Sequence, residues 1–98
     1  MIVRFYVDQF EKGRFDYRVS HEGEDLYADA GLASVEECIM AAIDGLGRDA
    51  LGAEIAYKSV ISGTYPLASL ALMAAQIAEH AENSTAAIEE MLRQPLQR

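Results

Sequence analysis

The sequence predicts an α+β fold: an antiparallel sheet of three to four strands in the order β-β-β-α-β-α, with helices on one face and a long carboxy-terminal helix. Three observations predict it. Apolar residues alternate with polar ones at Val3, Phe5 and Val7 and again at Phe15, Tyr17 and Val19, the period of half-buried strands. Ser34-Val35-Glu36-Glu37 spells a capping box at a helix start. From Leu67 to Met91, apolar residues recur at alternating spacings of three and four, which places them on one side of a helix. The 98 residues are expected to form a single domain spanning 1–98.

Met1 to Val7 is the first expected strand, and Arg14 to Val19 the second. Asp8 to Gly13 lies between them and predicts a hairpin loop longer than the tightest turns. Ser20 to Asp25 is a second polar turn, followed by a short strand at Leu26 to Ala30. There the alternation sets Leu26 and Ala28 on one face and Tyr27 and Asp29 on the other. In the capping box, the Ser34 hydroxyl accepts from the Glu37 amide while the Glu37 carboxylate reaches back to the Ser34 amide. Val35, Ile39, Ala42, Ile43 and Leu46 continue as a helical stripe, which Gly45 and Gly47 terminate. Glu54 to Ile61 is the fourth expected strand, and Ser62-Gly63 a turn. Pro66 suits the first turn of the last helix because its missing amide has no partner there. Asn83-Ser84-Thr85 interrupts the apolar pattern, so residues 67–93 form either one bent helix or two, and Pro95 ends the helical region.

Charge narrows the partners. The formal net charge is −8, and residues 19 to 92 hold thirteen acids against two bases, Arg48 and Lys58. Such a body repels phosphate backbones and anionic lipid, so nucleic acid is disfavoured and no membrane partner is expected. The longest apolar run, Leu67 to Ala75, is too short for the roughly 20 residues a membrane-spanning helix needs. Cys38 is the sole cysteine, which excludes an intrachain disulfide and fits a reducing cytoplasm.

Chemistry-bearing constellations are sparse. His21, Glu22, Glu24 and Asp25 cluster in a turn but lack the ligand spacing of a calcium loop. His80 lies near Gln76, Glu79 and Glu82, where a zinc-protease helix would need a second histidine at position 76. Neither histidine has a serine or cysteine partner in a recognisable motif, and no glycine loop joins a strand to a helix. No catalytic residue, cofactor or metal site is therefore expected. Two surfaces remain. One is the seam of Leu67, Leu70, Ala74, Ile77, Ala81, Ile88 and Met91, with Ser84 its polar member, expected to pack against another chain. The other is a possible ligand face of Arg4, Tyr6, Arg18, Tyr27 and Lys58, since tyrosines interleaved with bases can stack and neutralise single-stranded RNA.

The strand–strand–strand–helix–strand order, with Ala30-Gly31-Leu32-Ala33 ahead of Ser34-Val35-Glu36-Glu37, resembles the HicB-like antitoxin amino-terminal domain over about the first 60 residues. That family's Pro-Asp segment after the second strand is replaced here by Ser20-His21-Glu22-Gly23-Glu24-Asp25. The resemblance implies the fold class and carries over no functional residue.

Three functional classes follow. The first is a non-enzymatic protein-interaction or regulatory module acting as a homodimer, with an antitoxin-like inhibitor of a basic protein partner as its specific version. The second is an RNA- or small-ligand-binding sheet. A small enzyme is the third and has the least in its favour, because the carboxylates lack a partnered nucleophile or base.

Overall fold

A computed structural model of the chain describes residues 1–93. Five strands form one mixed sheet: β1 (Ile2–Glu11), β2 (Arg14–His21), β3 (Glu24–Leu32), β4 (Gly52–Tyr57) and β5 (Val60–Pro66), in the spatial order β3-β2-β1-β4-β5. Three helices, α1 (Val35–Asp44), α2 (Leu67–Leu72) and α3 (Ala74–Arg93), pack on one face. The fold class is α+β, as the residue pattern implies. The sheet is larger than the expected three to four strands, and it is not purely antiparallel.

The parallel pair is β1 with β4, in register from Ile2 opposite Gly52 to Val7 opposite Tyr57. It arises because α1 carries the chain from the β3 edge back across the helical face to the free side of β1. Joining parallel strands requires such a crossover. Local alternation cannot say to which edge a strand returns, and the purely antiparallel sheet it suggests gives way here to one parallel pair.

The extra strand comes from a hairpin inside the expected fourth strand. Tyr57 pairs with Val60, and the two-residue loop Lys58-Ser59 has both φ angles positive, 50° and 69°. That backbone twist matches the twist of the flanking strands, and tight pairing offsets the roughly 1–2 kcal/mol per residue that non-glycine side chains lose there. Ser62-Gly63, expected as a turn, lies within β5, where the ladder bulges between Ile55 and Ala56 on the facing strand. The first hairpin also corrects the expectation. Strand β1 runs on to Glu11, and only Lys12-Gly13 is left as loop, Gly13 supplying the positive φ of 74°.

Phe5 forms the centre of the core, opposite Val19 on β2 and Ile55 on β4, all three fully buried. Helix α1 covers them with Val35, Cys38, Ile39 and Ala42. Ser34 caps it as expected, accepting from the Glu37 amide at 3.1 Å. The Glu37 carboxylate, however, accepts from the Ala33 amide at 2.8 Å, one residue earlier than the ordinary capping box.

The helical region breaks at Met73, where φ is −121°, and not at Ser84. Pro66 stands at the N-cap of α2 and α3 runs unbroken through Asn83-Ser84-Thr85. Pro95 lies outside the described residues. At 20 residues α3 is about 30 Å long, and the molecule measures 52 Å along its long axis against 27 and 26 Å across.

Both sheet edges are interrupted. Strand β3 bulges twice against β2 and carries Glu24, Asp25 and Asp29, while β5 bulges once and ends in Pro66. Bulges, charges and edge prolines blunt the pairing of a stray strand. Exposed backbone edges are thus poor docking elements.

Candidate functional site: the end of the last helix and the open sheet face

On α3 the buried positions are Ala74, Ile77, Ala78, Ala81 and Thr85. Thr85 is the last. Its hydroxyl donates to the Tyr57 carbonyl at 3.1 Å, at the point where β4 turns into β5. The eight residues from Ala86 to Arg93 are all exposed. The apolar stripe nevertheless continues: at 3.6 residues per turn, Ile88 and Leu92 stand on the line that runs through Ala78, Ala81 and Thr85. Ile88 is 42 % exposed, Met91 69 % and Leu92 80 %. The helix thus carries its core-facing stripe two turns beyond the sheet that the stripe covers.

The expected interface divides at Thr85. Leu70, Ala74, Ile77 and Ala81 are buried by the chain's own sheet and helices, and Leu67 packs against that core. They are core residues, which corrects their assignment to an intermolecular surface. Ile88 and Met91 are accessible. The seam also drifts. A repeat averaging 3.5 residues slips about 20° per seven residues on a straight helix, which moves Ser84 and Met91 to the flank and brings Thr85 and Leu92 to the centre. Leu92 was missed for that reason, and the 3.6 period counted from Ala74 would have found it.

The open face of the sheet brings together Arg4, Tyr6 and Arg18, as expected. The Arg18 guanidinium carbon lies 3.9 Å from the Tyr6 ring centroid and that of Arg4 5.5 Å. Both guanidinium groups also have carboxylate partners: Arg4 bonds to Glu54, and Arg18 to Asp25 at 2.9 Å. Tyr6 is therefore already stacked by the chain's own cations, and those cations are already paired. Two shallow depressions flank it. The larger, about 490 Å³, lies between Arg18, the facing pair Asp8 and Asp16, and the small Ala28 and Ala30. Partial burial first, and then the field of Asp16, push the Asp8 carboxyl above the usual carboxylate range.

Tyr27 and Lys58 do not join this face. Strand β3 pairs Val19 with Tyr27 and Tyr17 with Asp29, so Tyr27 shares the helical side. Its hydroxyl donates to the Ala42 carbonyl of α1, and its ring meets Tyr17 edge-on at 6.4 Å. Leu26, expected inside, is 45 % exposed. The bulge between Val19 and Ser20 offsets the β3 register there, and a one-residue offset exchanges the two faces. Lys58 occupies the β4–β5 loop, with its ammonium 5.4 Å from the Tyr57 ring centroid.

His21 ends β2, with its Nε2 3.9 Å from the Glu22 carboxylate, and His80 is exposed on α3. No group of three or more His, Cys, Asp or Glu able to hold a metal ion occurs among the described residues. No described helix is long and apolar enough to cross a membrane.

Cys38 is fully buried against β2, and burial pushes its thiol from an ordinary 9.0 up to about 12. Burial likewise raises the Tyr27 phenol from 10.0 to about 12. Both groups stay neutral in the fold at pH values where the unfolded chain ionises, so the unfolded state binds fewer protons. Their contribution to stability is complete below about pH 9 and is lost as pH rises toward about 12. Thermal melts should hold a level Tm up to about pH 9 and fall above it. A Tm unchanged at about pH 11 would contradict the burial of both groups.

No protein-family model matches the chain, nor does any curated protein or solved structure.

Proposed function

We propose that this protein is a non-enzymatic interaction module that docks a protein partner on the projecting end of α3. The observation that carries this reading is the continuity of the stripe. The line of side chains that builds the core through Ala81 and Thr85 runs on to Ile88 and Leu92, where it emerges from the described fold with 42 % and 80 % exposure. Exposed apolar side chains are ordinary when scattered singly. Here three of them share the last two turns of one helix and prolong a core-facing line, the arrangement by which a helix meets a groove or a second helix.

An RNA- or ligand-stacking role for the sheet has less support. It would require Arg4 and Arg18 to leave Glu54 and Asp25, and Arg18 to vacate the Tyr6 ring. A homodimer through the whole Leu67–Met91 seam is limited by the burial of Leu70, Ala74, Ile77 and Ala81 within one chain. Docking is confined to the end of the helix.

The test is site-specific photo-crosslinking in the cells of origin, with the photoreactive residue at Leu92 or, as a control, at Lys12. A discrete adduct at Leu92, lost when Ile88→Glu is added and absent at Lys12, is the expected result. No adduct at Leu92, or the same adducts from both positions, would overturn the docking role.

A further inference from the structure

We infer that the partner segment docked on the end of α3 is a basic amphipathic helix from a different protein. The inference rests on the docking reading and adds the chemistry of the occupant. Glu82 and Glu89 lie three residues before and four residues after Thr85, which sets both along one border of the Ile88–Leu92 line, while Met91 borders the other side. The same two glutamates lie close enough to the end of β4 to bear on Tyr57, whose phenol is raised first by burial and then by their fields. The acidic border of α3 thus stands where Thr85 meets the Tyr57 carbonyl and the helix leaves the sheet. Of the nearby cations, Arg93 is engaged by Glu90 at 2.9 Å, and Lys58 lies over the Tyr57 ring.

An apolar strip bordered by carboxylates selects its complement. A helix presenting apolar residues at i, i+3 or i+4, and i+7 can pack on Ile88, Met91 and Leu92. Lysines or arginines beside that stripe would meet Glu82 and Glu89 in charge-assisted contacts. The net charge of −8 would speed the encounter with such a segment. A second copy of the chain fits worse: it brings the same glutamates and the same net charge, and like charges across an interface select against a partner.

The test uses the full chain and three labelled synthetic peptides of about 18 residues. One is an amphipathic helix with a leucine stripe flanked by lysines. The second has glutamate in place of every lysine. The third scrambles the first so that charge is kept and the stripe is lost. Fluorescence anisotropy should show the first binding at least about 10-fold more tightly than either other peptide, and weakening about 10-fold between low and moderate salt. The I88E/L92E variant should lose at least about 10-fold of this affinity and E82Q/E89Q a few-fold. E22Q/E24Q, which removes the same charge at the β2–β3 turn, at the opposite end of the sheet from Tyr57 and Thr85, should change it less than 2-fold by the same reasoning. Circular dichroism and melting of each variant confirm that the fold persists. Equal binding of the scrambled peptide, or unchanged binding by I88E/L92E, overturns the inference. If the Leu92 crosslink joins two copies of this chain, the basic partner is refuted while the docking role stands; absence of any crosslink refutes the docking role itself.

Discussion

Phe5→Ala is expected to destabilise the protein by about 3–5 kcal/mol, the cost of removing a buried phenylalanine and leaving a cavity. Phe5 is on the central strand, it is fully buried, and its two sheet neighbours, Val19 and Ile55, are fully buried as well. The surrounding side chains are held by ladders on both sides, so the site cannot collapse to fill the void. A domain of this size has about 5–15 kcal/mol of stability in total, so the variant should be marginal at 25 °C. Each kcal/mol lowers the melting temperature of such a domain by roughly 4–8 °C. A calorimetric scan showing a loss below about 1 kcal/mol would mean that β1 is not the centre of the core.

The second large effect separates two isoleucines on one helix. Ile77 is 3 % exposed and belongs to the core, whereas Ile88, eleven residues later on nearly the same side, is 42 % exposed. Ile77→Ala should cost about 2–5 kcal/mol. Ile88→Ala should stay within about 0.5 kcal/mol, as surface substitutions do. Chemical denaturation of the two variants at low protein concentration makes the comparison, with an unchanged m-value as the check that both unfold as the parent does. Equal losses would place Ile88 inside the fold and remove the projecting stripe.

Elements specified by nearby residues were legible in the sequence. The alternation of Val3-Phe5-Val7 and of Phe15-Tyr17-Val19 placed two of the three inner strands, because each buries one face. Ser34 and Glu37 placed the start of α1 to the residue. Elements decided by long-range packing were not legible. Lys58-Ser59 makes a tight turn without glycine or asparagine, so β4 and β5 read as one strand. The return of β4 beside β1 depends on where α1 lands, which no window of residues encodes. Tyr27 faces the helices because a bulge offsets β3 by one position, and a bulge leaves no signature when the flanking residues alternate on both faces.

The surfaces were legible to the same extent. Arg4, Tyr6 and Arg18 meet because they alternate on adjacent strands, but their pairing with Glu54 and Asp25 needs partners from other strands. The excess of apolar helix over sheet was readable from the length of the carboxy-terminal pattern. Where the cover stops was not, since that is fixed by Thr85 meeting the last carbonyl of β4.

Amide hydrogen exchange along α3, measured on the isolated protein at low micromolar concentration, addresses the division at Thr85 most directly. Amides from Ala81 to Thr85 sit over the sheet and should open only with the global unfolding of the domain. Those from Ile88 to Leu92 belong to residues left exposed by the described fold and should fray freely, exchanging at least about 100-fold faster. Uniform protection from Ala81 through Leu92 in a monomeric sample would show that the end of the helix is covered by its own chain, and would contradict the account.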